Sequence, residues 1–218
     1  MSAARRHSGH NKIYLAIGDI HGCYQELDQL LSRLETRYNL SDVNVRMVFL
    51  GDYIDRGDSS MLVLQRLRKI GEKYPQTIFL KGNHEDSFLQ EEHRTFNDIP
   101  TPTPSFITDF LESLKHYYET DSFLFVHGGP SYPEADLEEE KGYELLWNYM
   151  PDQAGWNGKI VVKGHTAVKK PTLYGKVLYM DTGCCFNGSL TCAVLSDDSG
   201  MVLDYVQIPR IKREELAA

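Results

Sequence analysis

The chain has 218 residues, of which 41% are hydrophobic, enough for one domain with a sizeable core. Its formal net charge of −8 argues against the basic face with which nucleic-acid binders displace counterions from phosphates, so no nucleic-acid partner is expected. No apolar run approaches the ~18 residues needed to span a bilayer, so no membrane partner is expected either.

The opening "MSAARRHSGHNK" lacks the apolar segment that would turn Arg5-Arg6 into an export signal, and residues 1–11 read as a solvated arm ahead of a single domain over 12–218. Cys23, Cys184, Cys185 and Cys192 show no CxxC spacing and fit a reducing cytoplasm. Nothing in the pattern speaks to oligomeric state. "KIYLAIGD" (12–19), "RMVFLGD" (46–52) and "TIFLKGN" (77–83) each read as a buried strand running into a Gly-containing turn. Between them, Leu27, Leu30, Leu31 and Leu34 form one helical stripe and Val63, Leu64, Leu67 and Ile70 another, the second with Ser59 or Ser60 as N-cap. This β-α-β-α-β order predicts parallel strands with their C-terminal ends, and a site, along one sheet edge.

Further on, "NDIPTPTPSF" (97–106) is a Pro/Thr loop before a helix with the core stripe Ile107, Phe110, Leu111 and Leu114. The strand "SFLFVHGG" (122–129) follows, then an acidic excursion over 134–140, read as a solvated loop with a substrate-facing flap as the alternative. "KIVVKGHT" (159–166) is another apolar run, and from Lys176 three β-rich runs predict an antiparallel meander.

Five of these runs deliver metal-ligand side chains into Gly-flanked turns: Asp19 and His21, Asp52, Asn83 and His84, His127, and His165. One histidine at a strand end is usually structural; five such ends in order are not coincidence. Carboxylate, imidazole and amide oxygen suit a hard-to-borderline divalent ion, and so many ligand candidates exceed what one catalytic ion takes from protein. Two ions ~3.5–4 Å apart sharing a carboxylate fit better.

In this order and spacing, "GDIHG", "GDYIDRG", "GNHE", "HGG" and "GHT" resemble the phosphoprotein phosphatase family of calcineurin-like metallophosphoesterases. The tail "YMDTGCCFNGSLTCAVL" is similar to its compact bacterial and phage members and, through them, to symmetrical diadenosine tetraphosphatases. The resemblance implies an α/β fold, a central β-sandwich flanked by helices, with a dinuclear site. It assigns Asp19, His21 and Asp52 to one metal and Asp52, Asn83, His127 and His165 to the other, Asp52 bridging. Arg56 becomes a phosphoryl clamp, with Asn83 and His127 also at the substrate, and Asp55 orients His84 as general acid.

The activity implied is a phosphomonoesterase using Mn²⁺, with Fe or Zn²⁺ as alternatives, on phosphoproteins or phosphorylated small molecules. Serine/threonine phosphatase comes first, with phosphotyrosine activity beside it. The alternatives are a symmetrical dinucleoside tetraphosphate hydrolase and, in another class, a non-catalytic module that docks phosphorylated partners. One position departs from the family. A second phosphate-binding arginine is expected two residues after a Trp, where "LLWNYMP" places Tyr149, with Lys163 or Lys169–Lys170 as substitutes for its charge. Glu85 reads as a helix-start residue, and His7, His10, His93 and His116 as structural, the last two on helical stretches.

Overall fold

The computed structural model describes residues 12–90, 98–140, 142–149 and 153–211; the expected arm, His7, His10 and His93 lie outside them. Among the described residues, ten strands and five helices follow in the order β1 (Ile13–Ile17), α1 (Tyr24–Arg37), β2 (Val45–Phe49), α2 (Ser60–Lys73), β3 (Ile78–Phe79), α3 (Asn83–Gln90) and α4 (Ser105–Glu112). There follow β4 (Tyr117–Glu119), β5 (Phe123–Val126), α5 (Tyr143–Trp147), β6 (Ile160–Lys163), β7 (Thr172–Tyr174), β8 (Val177–Tyr179), a 3₁₀ turn (Cys184–Phe186), β9 (Ser189–Ser196) and β10 (Met201–Pro209).

The strands form two mixed sheets, ordered β10-β9-β1-β2-β3 and β4-β5-β6-β8-β7. β1, β2 and β3 run parallel in the first, as do β5, β6 and β8 in the second. A sheet strand turns successive side chains to opposite faces. Leu15 and Ile17 of β1 therefore pack with Leu27, Leu30, Leu31 and Leu34 of α1 and Val63, Leu67 and Ile70 of α2. Tyr14 and Ala16 instead meet Phe123, Phe125, Val162 and Leu178 of the other sheet. Covered on both sides, β1 reads as a continuous apolar run. Each fully buried leucine here contributes about 1.5–3 kcal/mol of transfer free energy, and truncating one to alanine costs about 2–5 kcal/mol. The outer face of the second sheet is covered by Leu137, Leu145 and Trp156 against Leu124, Val126, Val161 and Val177. The acidic 134–140 loop thus packs inward through Ala135 and Leu137 while its carboxylates face outward.

Three expectations need correcting. The run from Lys176 is not one meander: β8 lies in the second sheet, parallel to β6, and only β9 and β10 form an antiparallel hairpin, in the first. The turn over 180–188 carries the chain between sheets, and strand spacing alone does not distinguish that step from a hairpin. Ser59 makes no side-chain cap bond to α2; Ser60, inside the helix, instead accepts the Asp55 N–H at 3.1 Å. His116 lies in the bend between α4 and β4 rather than on a helix.

Candidate metal centre

The loops after β1, β2, β5 and β6 and the start of α3 converge between the two sheets. His21, Asp52, Asp55, Arg56 and His165 all adopt positive φ, from 44° to 71°. Non-glycine residues held there cost roughly 1–3 kcal/mol each and persist where surrounding structure over-determines them. Two glycines make room for the carboxylates. A Cβ on Gly82 would stand 2.1 Å from Asp52 Oδ1, and one on Gly164 would stand 2.1 Å from Asp19 Oδ1.

Asp52 lies at the middle. Its Oδ2 is 3.3 Å from His21 Nε2 and its Oδ1 is 3.4 Å from His127 Nε2. Asn83 Oδ1 lies 2.9 Å from His127 Nε2 and 3.0 Å from His165 Nδ1. The backbone N–H of His84 donates to Asp52 Oδ1 at 3.1 Å, and that of His165 donates to Asp19 Oδ2 at 3.0 Å. All six metal candidates therefore meet in one place. Ligand atoms of His21, Asp52 and His84 form one group within 4.8 Å, and those of Asp52, His127 and His165 form a second.

The donor chemistry fits cations. His127 Nδ1–H donates to the Leu50 carbonyl at 2.8 Å, and His21 Nδ1–H to the Ile54 carbonyl at 2.9 Å. Each ring then turns its Nε2 inward, towards Asp52. At His127 that nitrogen faces two acceptor oxygens, Asn83 Oδ1 and Asp52 Oδ1. Asp19 Oδ1 and His165 Nε2 are buried and have no hydrogen-bond partner among the described residues. Unpaired buried acceptors cost about 1–3 kcal/mol each, which a bound cation would offset.

Electrostatics point the same way. Burial, with Asp181 and Asp52 nearby, holds the Asp19 carboxyl well above the ordinary carboxylate range. Burial acts on Asp52 too, but the imidazoles of His127 and His21 hold it well below that range. The two carboxyls diverge because Asp52 has two imidazole nitrogens within 3.4 Å, whereas Asp19 has further carboxyls around it. Burial, helped by His127 and Lys163, pushes His165 down to about 4, leaving the ring neutral as a metal ligand requires.

At the outer edge, His84 Nδ1–H donates to Asp55 Oδ2 at 2.8 Å, and its Nε2 lies 3.9 Å from Asp52 Oδ2. Burial lowers the His84 pKa, with Asp52 opposing the shift. Asp55 Oδ1 also accepts the Arg56 N–H at 2.8 Å, while the Arg56 guanidinium donates to His21 Nε2 at 2.9 Å and lies over the Phe186 ring at 5.2 Å.

Glu85 is more than a helix-start residue. Fully buried, it accepts the N–H groups of Asp52 and Gly82 at Oε2 and of Tyr53 and Ile54 at Oε1, between 2.8 and 3.2 Å. It fixes the backbone that carries Asp52. Burial and Asp52 push its pKa up to about 7. Asp181, in the "YMDTG" stretch, is a second buried carboxylate that was given no role; its Oδ1 accepts the Gly183 N–H at 2.8 Å. Lys163 is not an exposed substitute for arginine. It is fully buried and donates to the Asn148 carbonyl at 3.1 Å and to Thr166 Oγ1 at 3.0 Å, its pKa pushed down to about 7 by burial. Lys169 and Lys170 are exposed. Tyr149 faces the site, its ring 4.8 Å from that of His165.

The family model for calcineurin-like phosphoesterases matches residues 14–201. A curated relative from Halalkalibacterium halodurans, named bis(5'-nucleosyl)-tetraphosphatase PrpE [asymmetrical], is 25% identical, covering 88% of this chain and 92% of its own. The solved structure of a putative diadenosine tetraphosphatase superposes with a TM-score of 0.67 at 19% identity, over 92% of this chain and 95% of that one. A protein serine/threonine phosphatase from Saccharomyces cerevisiae superposes with a TM-score of 0.64 at 16% identity, over 95% and 82%. Among the described residues no helix is long and apolar enough to cross a membrane. With its two mixed sheets and converging ligand loops, the chain belongs to the calcineurin-like phosphoesterase family, and it is a phosphoesterase.

Proposed function

We propose that this centre holds two divalent cations and hydrolyses nucleoside polyphosphates, with phosphorylated protein side chains as a second substrate class. The observation that carries the reading is the Asp52 carboxylate, one oxygen turned to His21 and the other to His127. Asp19, His21 and Asp52 are assigned to one cation, and Asp52, Asn83, His127 and His165 to the other. Bound there, such ions supply Lewis acidity to phosphoryl oxygens and bring the pKa of bound water towards neutrality. The donor set suits Mn²⁺, with Fe and Zn²⁺ as alternatives.

The chain's own residues do the rest. Arg56 offers a planar fork of donors to phosphoryl oxygens, a geometry that lysine lacks. Asn83 and His127 line the floor on which the phosphate sits. His84 gives a proton to the leaving oxygen as the phosphorus–oxygen bond breaks, and Asp55 holds the ring in the orientation that transfer needs. A cytoplasmic setting suits four thiols that are free among the described residues.

The name of the curated relatives supports a nucleotide substrate and makes asymmetrical cleavage the version to test before the symmetrical one. The His84–Asp55 pair supports the second class. A seryl alkoxide is a poor leaving group that needs a proton, whereas a nucleoside phosphate leaves readily without one. The test is product analysis with added Mn²⁺ on diadenosine tetraphosphate, a phosphoserine peptide and a phosphotyrosine peptide. ATP plus AMP is the expected outcome. Turnover of peptides alone would put the second class first, and no turnover of any substrate would overturn the hydrolase reading in favour of a non-catalytic phosphate-binding module.

A further inference from the structure

On the side built by the second sheet, the centre carries aromatic rings that the chemistry above does not use. Tyr149 packs its ring 4.8 Å from His165 at 45°, and Trp147 meets the same histidine edge-on at 6.0 Å. Trp147 in turn stacks on Tyr143, 6.0 Å away and within 18° of parallel. Tyr149 is 63% exposed and Tyr143 72% exposed, so two large rings stand in solvent beside a buried ligand set. A row of rings thus leads outward from a metal-ligand histidine. Phe186, 60% exposed, already has Arg56 over its face.

Tyr149 is also the position where the family pattern calls for arginine. A phenol brings no charge to a phosphate, but it brings a rigid flat surface at low entropic cost. We propose that Tyr149, beside the His165 ring that Trp147 also meets, stacks the nucleobase of a nucleoside phosphate whose phosphate lies at the ligand cluster. The proposal rests on the hydrolase reading and names its substrate class. A phosphotyrosyl ring, bonded directly to the phosphate oxygen, would meet the same Tyr149 ring beside His165, so the test carries a phenyl phosphate arm to separate the two.

The test compares equilibrium binding of AMP, ribose 5-phosphate and phenyl phosphate, each as the phosphonate analogue in which carbon replaces the ester oxygen so that no turnover intervenes, to the Mn²⁺-supplemented full chain by calorimetry. Base–aromatic stacking predicts that AMP binds about ten-fold tighter than ribose 5-phosphate. The ratio should persist in Tyr149→Phe and fall to about one in Tyr149→Ala, with circular dichroism confirming that each variant is folded. A ratio near one in the unaltered protein, or one that survives Tyr149→Ala, overturns the proposal. So does a loss of phenyl phosphate affinity in Tyr149→Ala equal to that of AMP, because the ring recognised would then be the aryl ester. Failure of the hydrolase reading looks different: no phosphate compound is turned over, yet the AMP ratio and its dependence on Tyr149 remain.

Discussion

The two sides of the centre are built differently. The first-sheet side takes Asp19, His21, Asp52, Asn83, His84 and Glu85 from consecutive βα turns within 67 residues, with the Glu85 carboxylate and the Ile54 carbonyl bonded to its loops. The second-sheet side takes His127 and His165 from the loops after β5 and β6 and surrounds them with a buried lysine and exposed aromatic rings. The first side is over-determined and, under the proposed assignment, would carry the chemistry that every phosphoester shares. The second is open, and it is where this chain departs from the family pattern. Changes on the first side should therefore act on the chemical step, graded by the leaving group alone, while changes on the second should reorder substrates by the rest of their structure.

The largest break on the first side is His84→Asn. Loss of a positioned acid should cut kcat/KM for an alkyl phosphate by about 10²–10⁴-fold, and much less for nitrophenyl phosphate, whose leaving group scarcely needs a proton. Equal losses on the two would remove the general-acid assignment. Glu85→Gln comes next. Exchanging one carboxylate oxygen for an amide leaves two backbone N–H groups without an acceptor, at about 1–3 kcal/mol each. A loss of about 3 kcal/mol lowers Tm by roughly 6–12 °C in a chain of this size, and apparent metal affinity should weaken by about 10–100-fold. Calorimetric unfolding and a metal titration read these two effects; an unchanged Tm would mean that the four N–H bonds do not hold the loop.

The smallest effect sharpens the comparison from the other side. Tyr149→Arg should lower KM for a simple phosphomonoester by about ten-fold, the worth of one charge-assisted hydrogen bond, while weakening preference for a nucleotide over that ester. Parallel changes on both substrates would place Tyr149 outside substrate recognition.

Much of this division is legible in the amino-acid sequence. Strands that end in Gly-flanked ligands announce themselves because β1 and β2 are buried on both faces and leave unbroken apolar runs before Asp19 and Asp52. The leucine stripe of α1 is equally plain. Glu85 is not legible, because its partners are backbone N–H groups, three of them some thirty residues away, and a glutamate opening a helix has the same local pattern whether it reaches them or not. Lys163 reads as a surface charge because only the fold reveals that its stem is walled in and its ammonium spent on Asn148 and Thr166. Tyr149 was visible only as a departure from a family pattern; its contact with His165 required the third dimension.

The central claim is that one carboxylate serves two cations. The measurement that tests it most directly is metal content by elemental analysis after Mn²⁺ loading and gel filtration, for the unaltered chain and for His21→Ala, His165→Ala and Asp52→Asn. The account predicts two ions per chain in the first, one in each histidine variant and neither held in Asp52→Asn. Two ions retained in Asp52→Asn, or a single ion in the unaltered chain, would contradict it.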